Sequence, residues 1–390
     1  MASSAVVLSF SLIFTGAAVL ATLALYTRQP LLVAYIAIGA IFGPHATGLV
    51  SDARLLSEIG EFGIIFLLFL VGLDLQPSKL KNMVGKSLLT AFATTLVFFA
   101  IGFSLMLAFA FTVTEAVVTG IAATFSSTII GIKLLPTTVL HHRHIGEIVV
   151  SLLLIQDLLA ILALLFLSSY SSTLTETLSS LTVSAVALPV LGLFAYLCVK
   201  YLVLPMLARF DDFQEFMFLL ALGWCLGLAI LASMAGLSHA IGAFIGGVAL
   251  ATSPVAQYIA ESLRPLRDFF LVLFFFAVGA ELDVTLLTQV MFPTLFLGLL
   301  LIAAKPLIFK WILSAQGESK ETSMEVGYRL GQASEFSLLL SYVAIGSSMI
   351  GAEAAHVIQG ATVLTLVLSS YLVIFRYPSP IAMSAHLRRD

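Results

Sequence analysis

Charge is what this sequence has least of. Only 10% of its 390 residues are Asp, Glu, Lys or Arg, where a soluble domain carries about 25%. That shortage excludes a water-exposed surface of ordinary extent. Cysteine is nearly missing too. Cys198 and Cys225 both lie inside apolar runs, so neither a disulfide framework nor a thiolate metal site can be built. The N-terminus lacks the basic stretch and small-residue cleavage site of a signal peptide, and its first apolar run is read as a retained helix. The short alternating segments of a transmembrane β-barrel are lacking as well. What remains is apolar: 60% hydrophobic residues and a mean hydropathy of +1.11 point to an all-α polytopic membrane protein.

About 13 transmembrane helices are predicted, at 5–26, 31–43, 58–73, 88–111, 116–138, 145–168, 179–205, 213–235, 239–252, 267–280, 291–315, 324–347 and 357–376. Several fall short of the roughly 20 residues a span needs. They are expected to extend into their flanks or to meet water-filled cavities. Sorting the 18 Lys and Arg residues by these segments leaves Arg54 alone on one side and Lys305 and Arg329 inside segments. The others collect on the opposite side, which sets the N-terminus outside and the C-terminus in the cytoplasm.

One offset recurs along the chain. FLVGLD (Phe69–Asp74) returns as FAVGAE (Phe276–Glu281), 207 residues later. The same offset lays Gly39 on Gly246 and TFSST (Thr124–Thr128) on GQASE (Gly331–Glu335). The shift advances seven segments, an odd number, so the second copy runs the opposite way through the membrane. Inverted-topology repeats mark secondary transporters, with substrate sites near the midplane at broken helices. The two paired stretches suit such breaks, since hydroxyls and amides can satisfy backbone that leaves the helical ladder. Ser126, Ser127 and Thr128 supply them in the first copy. Half-helix ends would then meet, and their dipoles need compensating charges.

Three ionisable residues reach similar depth. Asp157 interrupts the apolar run LLLIQDLLAI about 18 Å along its segment at 1.5 Å per residue, and Glu335 and Lys305 fall near the same level. An intramembrane ionisable group needs a reason. Lys305 could neutralise Asp157 or Glu335, but one cation cannot neutralise both. Arg329 is expected to pair with Glu325, one turn away on the same face. Burial raises an acid's pKa and a nearby positive charge lowers it, so a balanced carboxylate can accept a proton or a monovalent cation in turn. Gln156 offers an uncharged oxygen where a second acid would raise the charge carried per cycle. One-for-one exchange at Asp157 is the resulting expectation.

The stretches IGEFGIIFLLFLVGLDL, TFSST, LLLIQDLLAI, HAIGAFIGGVALATS, FFFAVGAELD and GYRLGQASEFSLLL resemble the monovalent cation:proton antiporter-2 family, and within it the Kef-type potassium efflux antiporters. The likeness covers essentially the whole chain. It implies a homodimer in the plasma (inner) membrane, with a dimerisation domain at 1–75 and 213–285, a core transport domain at 84–168 and 291–376, a linker helix at 177–206 and a cytoplasmic tail at 377–390. It implies elevator-type exchange of K+ (or Na+) for H+, with Asp157 as the carrier. Ser126, Ser127, Thr128 and Gln156 would be its neighbours, and Lys305, Glu335 and Arg329 would form the core charge network. Sodium/proton relatives usually carry two adjacent acids where this chain has Gln156–Asp157, so Lys305 is expected either to pair with Asp157 or to hold a break in the backbone. No cofactor and no nucleic-acid partner are expected; the lipid bilayer is the surrounding medium.

Kef-type proteins commonly continue into a cytoplasmic nucleotide-binding regulatory domain. No GxGxxG stretch opening a βαβ unit occurs in these 390 residues, so a regulatory domain or subunit would lie outside them. HHRH (His141–His144) is read as a loop in the positive-inside pattern rather than a metal site. An intramembrane protease fits poorly, since an aspartyl one needs two cooperating acids without a basic group between them. A Na+/H+ antiporter of the same fold, or a gated channel-like efflux pathway, are the rival readings.

Overall fold

The computed structural model describes residues 2–50, 53–74, 86–135, 144–168, 174–210, 214–253 and 256–379. Its elements are helices throughout. In chain order they are α1 (Ala2–Tyr26), α2 (Leu31–Phe42), α3 (Ala53–Asp74), α4 (Lys86–Ala108), α5 (Val113–Thr124), α6 (Thr128–Lys133), α7 (His144–Ser168), α8 (Leu174–Cys198), α9 (Leu204–Arg209), α10 (Gln214–Met234), α11 (His239–Ala251), α12 (Ala256–Ser262), α13 (Arg264–Ala280), α14 (Val284–Gln289), α15 (Met291–Ala315), α16 (Lys320–Arg329), α17 (Glu335–Gly346) and α18 (Ala352–Arg376). A π-helical stretch, Val199–Val203, joins α8 to α9.

Seven of these helices are long and apolar enough to cross a membrane, which bears out the polytopic all-α fold. Others are shorter, and the reasons are local. The expected segments 116–138 and 324–347 are each interrupted, with non-helical backbone between two helices. The expected segment 58–73 gains its length at its start, where α3 begins at Ala53. α2 and α11 remain short, at 12 and 13 residues.

The chain forms two compact units. One comprises Met1–Asp52, Met83–Ala160 and Val278–Asp390; the other comprises Ala53–Asn82 and Ile161–Ala277. This grouping reflects packing density, whereas the dimerisation and transport domains expected from the sequence concern which parts move. In the second unit α3, α8, α10 and α11 close around Phe69, Leu73, Ala195, Cys225, Ala232 and Ala243, all nearly inaccessible. Gly72 of α3 lies so close to α11 that a Cβ there would strike the Phe244 carbonyl. In the first unit Gly279 meets the Ile36 carbonyl of α2 in the same way. Gly72 and Gly279 are the two copies of the repeated glycine, and each is needed for a close helix approach.

The first unit holds every residue of the expected site. α4, α7, α15 and α16 pack around Phe98, Val149, Leu152, Phe309, Val326 and Leu330. α15 carries Pro306 in its interior, and α16 approaches so closely there that a Cβ on Gly327 would lie 2.7 Å from the Pro306 Cα and carbonyl oxygen.

Candidate functional site

Both breaks fall where the hydroxyl-rich stretches are. The first is Phe125–Ser127, in extended conformation between α5 and α6. Ser127 then caps α6 by accepting from the Ile130 N–H at 3.2 Å. The second runs from Leu330 to Ser334, between α16 and α17, and Ser334 caps α17 by accepting from the Phe336 N–H at 3.1 Å. Side-chain caps of this kind satisfy the orphan N–H groups that each new helix start creates.

The two breaks lie against each other. The Ser126 hydroxyl donates to the Leu330 carbonyl at 2.8 Å, and the Gln332 amide donates to the Ser127 carbonyl at 3.4 Å. Ser337 of α17 donates to the Ala122 carbonyl of α5 at 2.6 Å. Ser126, Ser127, Gln332 and Ser334 are all buried, so these bonds replace ones that water cannot supply.

Lys305 is fully buried, and its ammonium group joins the two breaks. It donates to the Phe125 carbonyl at 2.7 Å and the Gln332 carbonyl at 2.9 Å, with the Ser126 hydroxyl at 3.4 Å. The Phe98 ring lies 5.1 Å away. These carbonyls follow the C-terminal ends of α5 and α16, where the helix dipoles gather negative charge. The ion pair of Lys305 with Asp157 or Glu335 raised by the sequence is not among its contacts with described residues. Of the two expectations for this lysine, the geometry is that of holding a break. The physical reason is that carbonyls released from a helix ladder are strong acceptors that must be paired when buried.

The acids stand at the other ends. Asp157 lies 13 residues into the 25-residue α7, near the middle of the membrane by length, and is buried. Thr128, the first residue of α6, places its hydroxyl 3.1 and 3.2 Å from the two carboxylate oxygens. Glu335 is the first residue of α17, also buried, with the Ser334 hydroxyl 3.4 Å from Oε2. Negative groups thus meet helix starts and the positive group meets helix ends.

Gln156 reaches the first break. Its Oε1 accepts from the Ser126 backbone N–H at 3.0 Å, which takes one of its two lone pairs. The amide nitrogen, buried, has no partner among the described residues. Gln156 therefore holds the first break as well as adjoining Asp157 in sequence. Arg329 pairs with Glu325 at 2.7 Å. It also donates to the Leu134 carbonyl after α6 and to the Pro378 carbonyl, each at 2.8 Å.

Sequence reasoning missed the contribution of α18. Ser369 donates to Gln332 Oε1 at 2.8 Å, and Thr365 accepts from the Ala333 N–H at 2.9 Å. Thr362, Thr365 and Ser369 recur at steps of three and four along an apolar helix, a one-face stripe that carried the signal. His141–Arg143 lie outside the described residues. His144 lies 3.0 Å from Glu318 and 3.7 Å from Glu147.

The family model of the transmembrane sodium/hydrogen exchanger matches residues 10–374. The iron transporter MagA of Paramagnetospirillum magneticum is 31% identical, over 88% of this chain and 79% of that protein. The putative K(+) efflux antiporter KefB of Alkalimonas amylolytica is 28% identical over 88% of this chain and 52% of its own length. K(+) efflux antiporter 6 of Arabidopsis thaliana is 28% identical over 87% and 58%. The chain thus spans little more than half the length of these two antiporters. Among solved structures, the sodium proton antiporter MjNhaP1 from Methanocaldococcus jannaschii shares the fold, with a TM-score of 0.68 at 18% identity over 95% of this chain and 96% of that one.

Proposed function

Because the chain belongs to the sodium/hydrogen exchanger family, we propose that it is a secondary antiporter, not an enzyme, which exchanges a monovalent cation for a proton at Asp157. The observation that carries this reading is the Asp157 carboxylate, buried mid-helix against the first residue of a half-helix, with the Thr128 hydroxyl reaching both its oxygens. A carboxylate so placed gains an alkali ion or a proton in turn, because burial disfavours its bare charge. Thr128, Ser126, Ser127 and Gln156 line the same break. Lys305 keeps that break formed whichever ligand is bound.

K+ is the favoured cation. Two relatives carry K(+) efflux antiporter in their names, and the pairing Gln156–Asp157 brings one acid where sodium/proton relatives usually have two. The iron transporter likeness is the competing cue. Among the described residues no group of three or more His, Cys, Asp or Glu gathers that could hold a metal ion. Alternate exposure by an elevator-like movement of the core, in a homodimer of the plasma (inner) membrane with the N-terminus outside, completes the proposal.

Reconstitution in liposomes with an internal pH dye tests it. Adding K+ is expected to drive proton movement, with Na+, Rb+, Li+ and Fe2+ as comparisons. Asp157→Asn is expected to reduce the signal to that of protein-free liposomes. Robust exchange by that variant would refute the shared site.

A further inference from the structure

Thr119 of α5 carries a hydroxyl that the site above does not use. The residue is buried, and its Oγ1 has no hydrogen-bond partner among the described residues. Other buried threonines satisfy themselves within their own helix. Thr94, Thr124, Thr294 and Thr365 each donate to a carbonyl three or four residues back, at 2.7–2.8 Å. Such back-bonding is the usual outlet for a hydroxyl inside an apolar helix. Thr119 has not taken it, and a buried polar group left over in this way calls for an explanation.

Thr119 lines a cavity instead. The cavity lies among α5, α15 and α18, with Leu297, Leu301 and Ile358 as apolar wall. Thr362 of α18, also buried, is its second hydroxyl-bearing residue, and Ala333 of the second break borders it. The volume open to a water molecule there is ≈ 10 Å³, close to the least that one water needs. Two hydroxyls are too few to offset the burial of a bare cation, which costs far more than that of a neutral molecule. They suit a water, which needs two to four polar partners.

We propose that this cavity is a binding site for one water molecule, held by the hydroxyls of Thr119 and Thr362 and bridging α5 to α18 beside the second break. The neighbouring links already exist. Thr365 of α18 accepts from the Ala333 N–H at 2.9 Å, and Ser337 of α17 donates to the Ala122 carbonyl of α5 at 2.6 Å. The water closes the remaining side, between α5 and α18. Its partners are not those of Asp157, so the site is the same whichever ion is carried.

The rival is a dry cavity, in which Thr119 bears the full desolvation penalty of an unmade hydrogen bond. One substitution separates the two by sign. Thr119→Val removes the hydroxyl at nearly constant shape. If the cavity is dry, an unsatisfied group is lost and the protein gains stability. If a water is bound, the water loses a partner and the protein is weakened.

Thermal unfolding of the full chain in lipid nanodiscs provides the test. Thr119→Val is expected to lower the midpoint by about 2 °C or more, and Thr362→Val to lower it likewise. The double variant is expected to lose less than the two single losses combined, because either change alone already breaks the bridge. A midpoint of Thr119→Val equal to or above that of the wild type overturns the proposal, and so do strictly additive losses. Should the valine variants not fold, a crystal structure of the wild type fine enough to show ordered water decides. A density peak within about 3.2 Å of both hydroxyl oxygens supports the bridge; a cavity without one sinks it.

Discussion

Lys305 and Asp157 have divided the electrostatics of the breaks between them. The lysine serves carbonyls at the C-terminal ends of α5 and α16, and the acid faces the first residue of α6. Removing the ammonium would leave two buried carbonyls without a partner, at about 1–3 kcal/mol each. Lys305→Ala is therefore expected to lower the thermal midpoint of the purified protein sharply. Lys305→Gln, which keeps a shorter donor, should fall between that variant and the wild type. An Ala variant that melts with the wild type would show that the lysine does not hold the breaks together. The depth of Lys305 was readable from its segment, and so was the pairing of Arg329 with Glu325, which needs only helical spacing. The partners of Lys305 were not readable. They are main-chain atoms 180 and 27 residues away, and backbone acceptors leave no trace in side-chain chemistry.

Helix starts carry the clearest trace of the repeat. Val113 and Lys320 open α5 and α16, and Thr128 and Glu335 open α6 and α17, both pairs separated by the 207 residues read from FLVGLD and FAVGAE. The caps before them obey the same register: Thr112 with Ser319, and Ser127 with Ser334. Apolar residues can align by chance, but a matched set of capping hydroxyls fixes where each helix must begin. This is why the breaks could be located from composition, while the α18 stripe, spread over several turns, went unnoticed. Packing adds a test at this scale. Gly327 has no room for a methyl group against the Pro306 backbone, whereas Gly346, at the end of α17, has open space around it. Gly327→Ala is expected to force α16 away from α15, costing about 1–3 kcal/mol and weakening exchange with it. Gly346→Ala should be neutral or stabilise by about 0.5–1 kcal/mol. Thermal midpoints of the two variants, measured side by side, check the contrast. Equal midpoints would mean that the close approach at Pro306 yields without cost.

At the scale of the whole molecule, the exchange reading makes a claim that no single contact contains: how much charge one cycle moves. Asp157 offers one negative charge, which a proton or a monovalent cation cancels equally. Gln156 adds none, and its amide oxygen is engaged with the Ser126 N–H. Lys305 is bound to the breaks, so its charge is not part of the exchanged set. The loaded core is then equally charged in both directions, and exchange should not respond to membrane potential. A single unbalanced charge would feel about 2.3 kcal/mol per 100 mV, or about a fiftyfold shift in the final ion gradient. Liposomes holding the protein, polarised by a lipophilic-ion gradient, are expected to reach the same internal pH at either sign of potential. Gln156→Asp places a second carboxylate beside the first. If both bind protons while one cation returns, the cycle moves charge, and the end point should become potential-dependent. That variant also gives up the amide oxygen that accepts from Ser126 for a carboxylate oxygen that can still accept, so the break need not collapse. A potential-dependent end point in the wild type would exclude one-for-one exchange at a single carboxylate, whatever cation is carried.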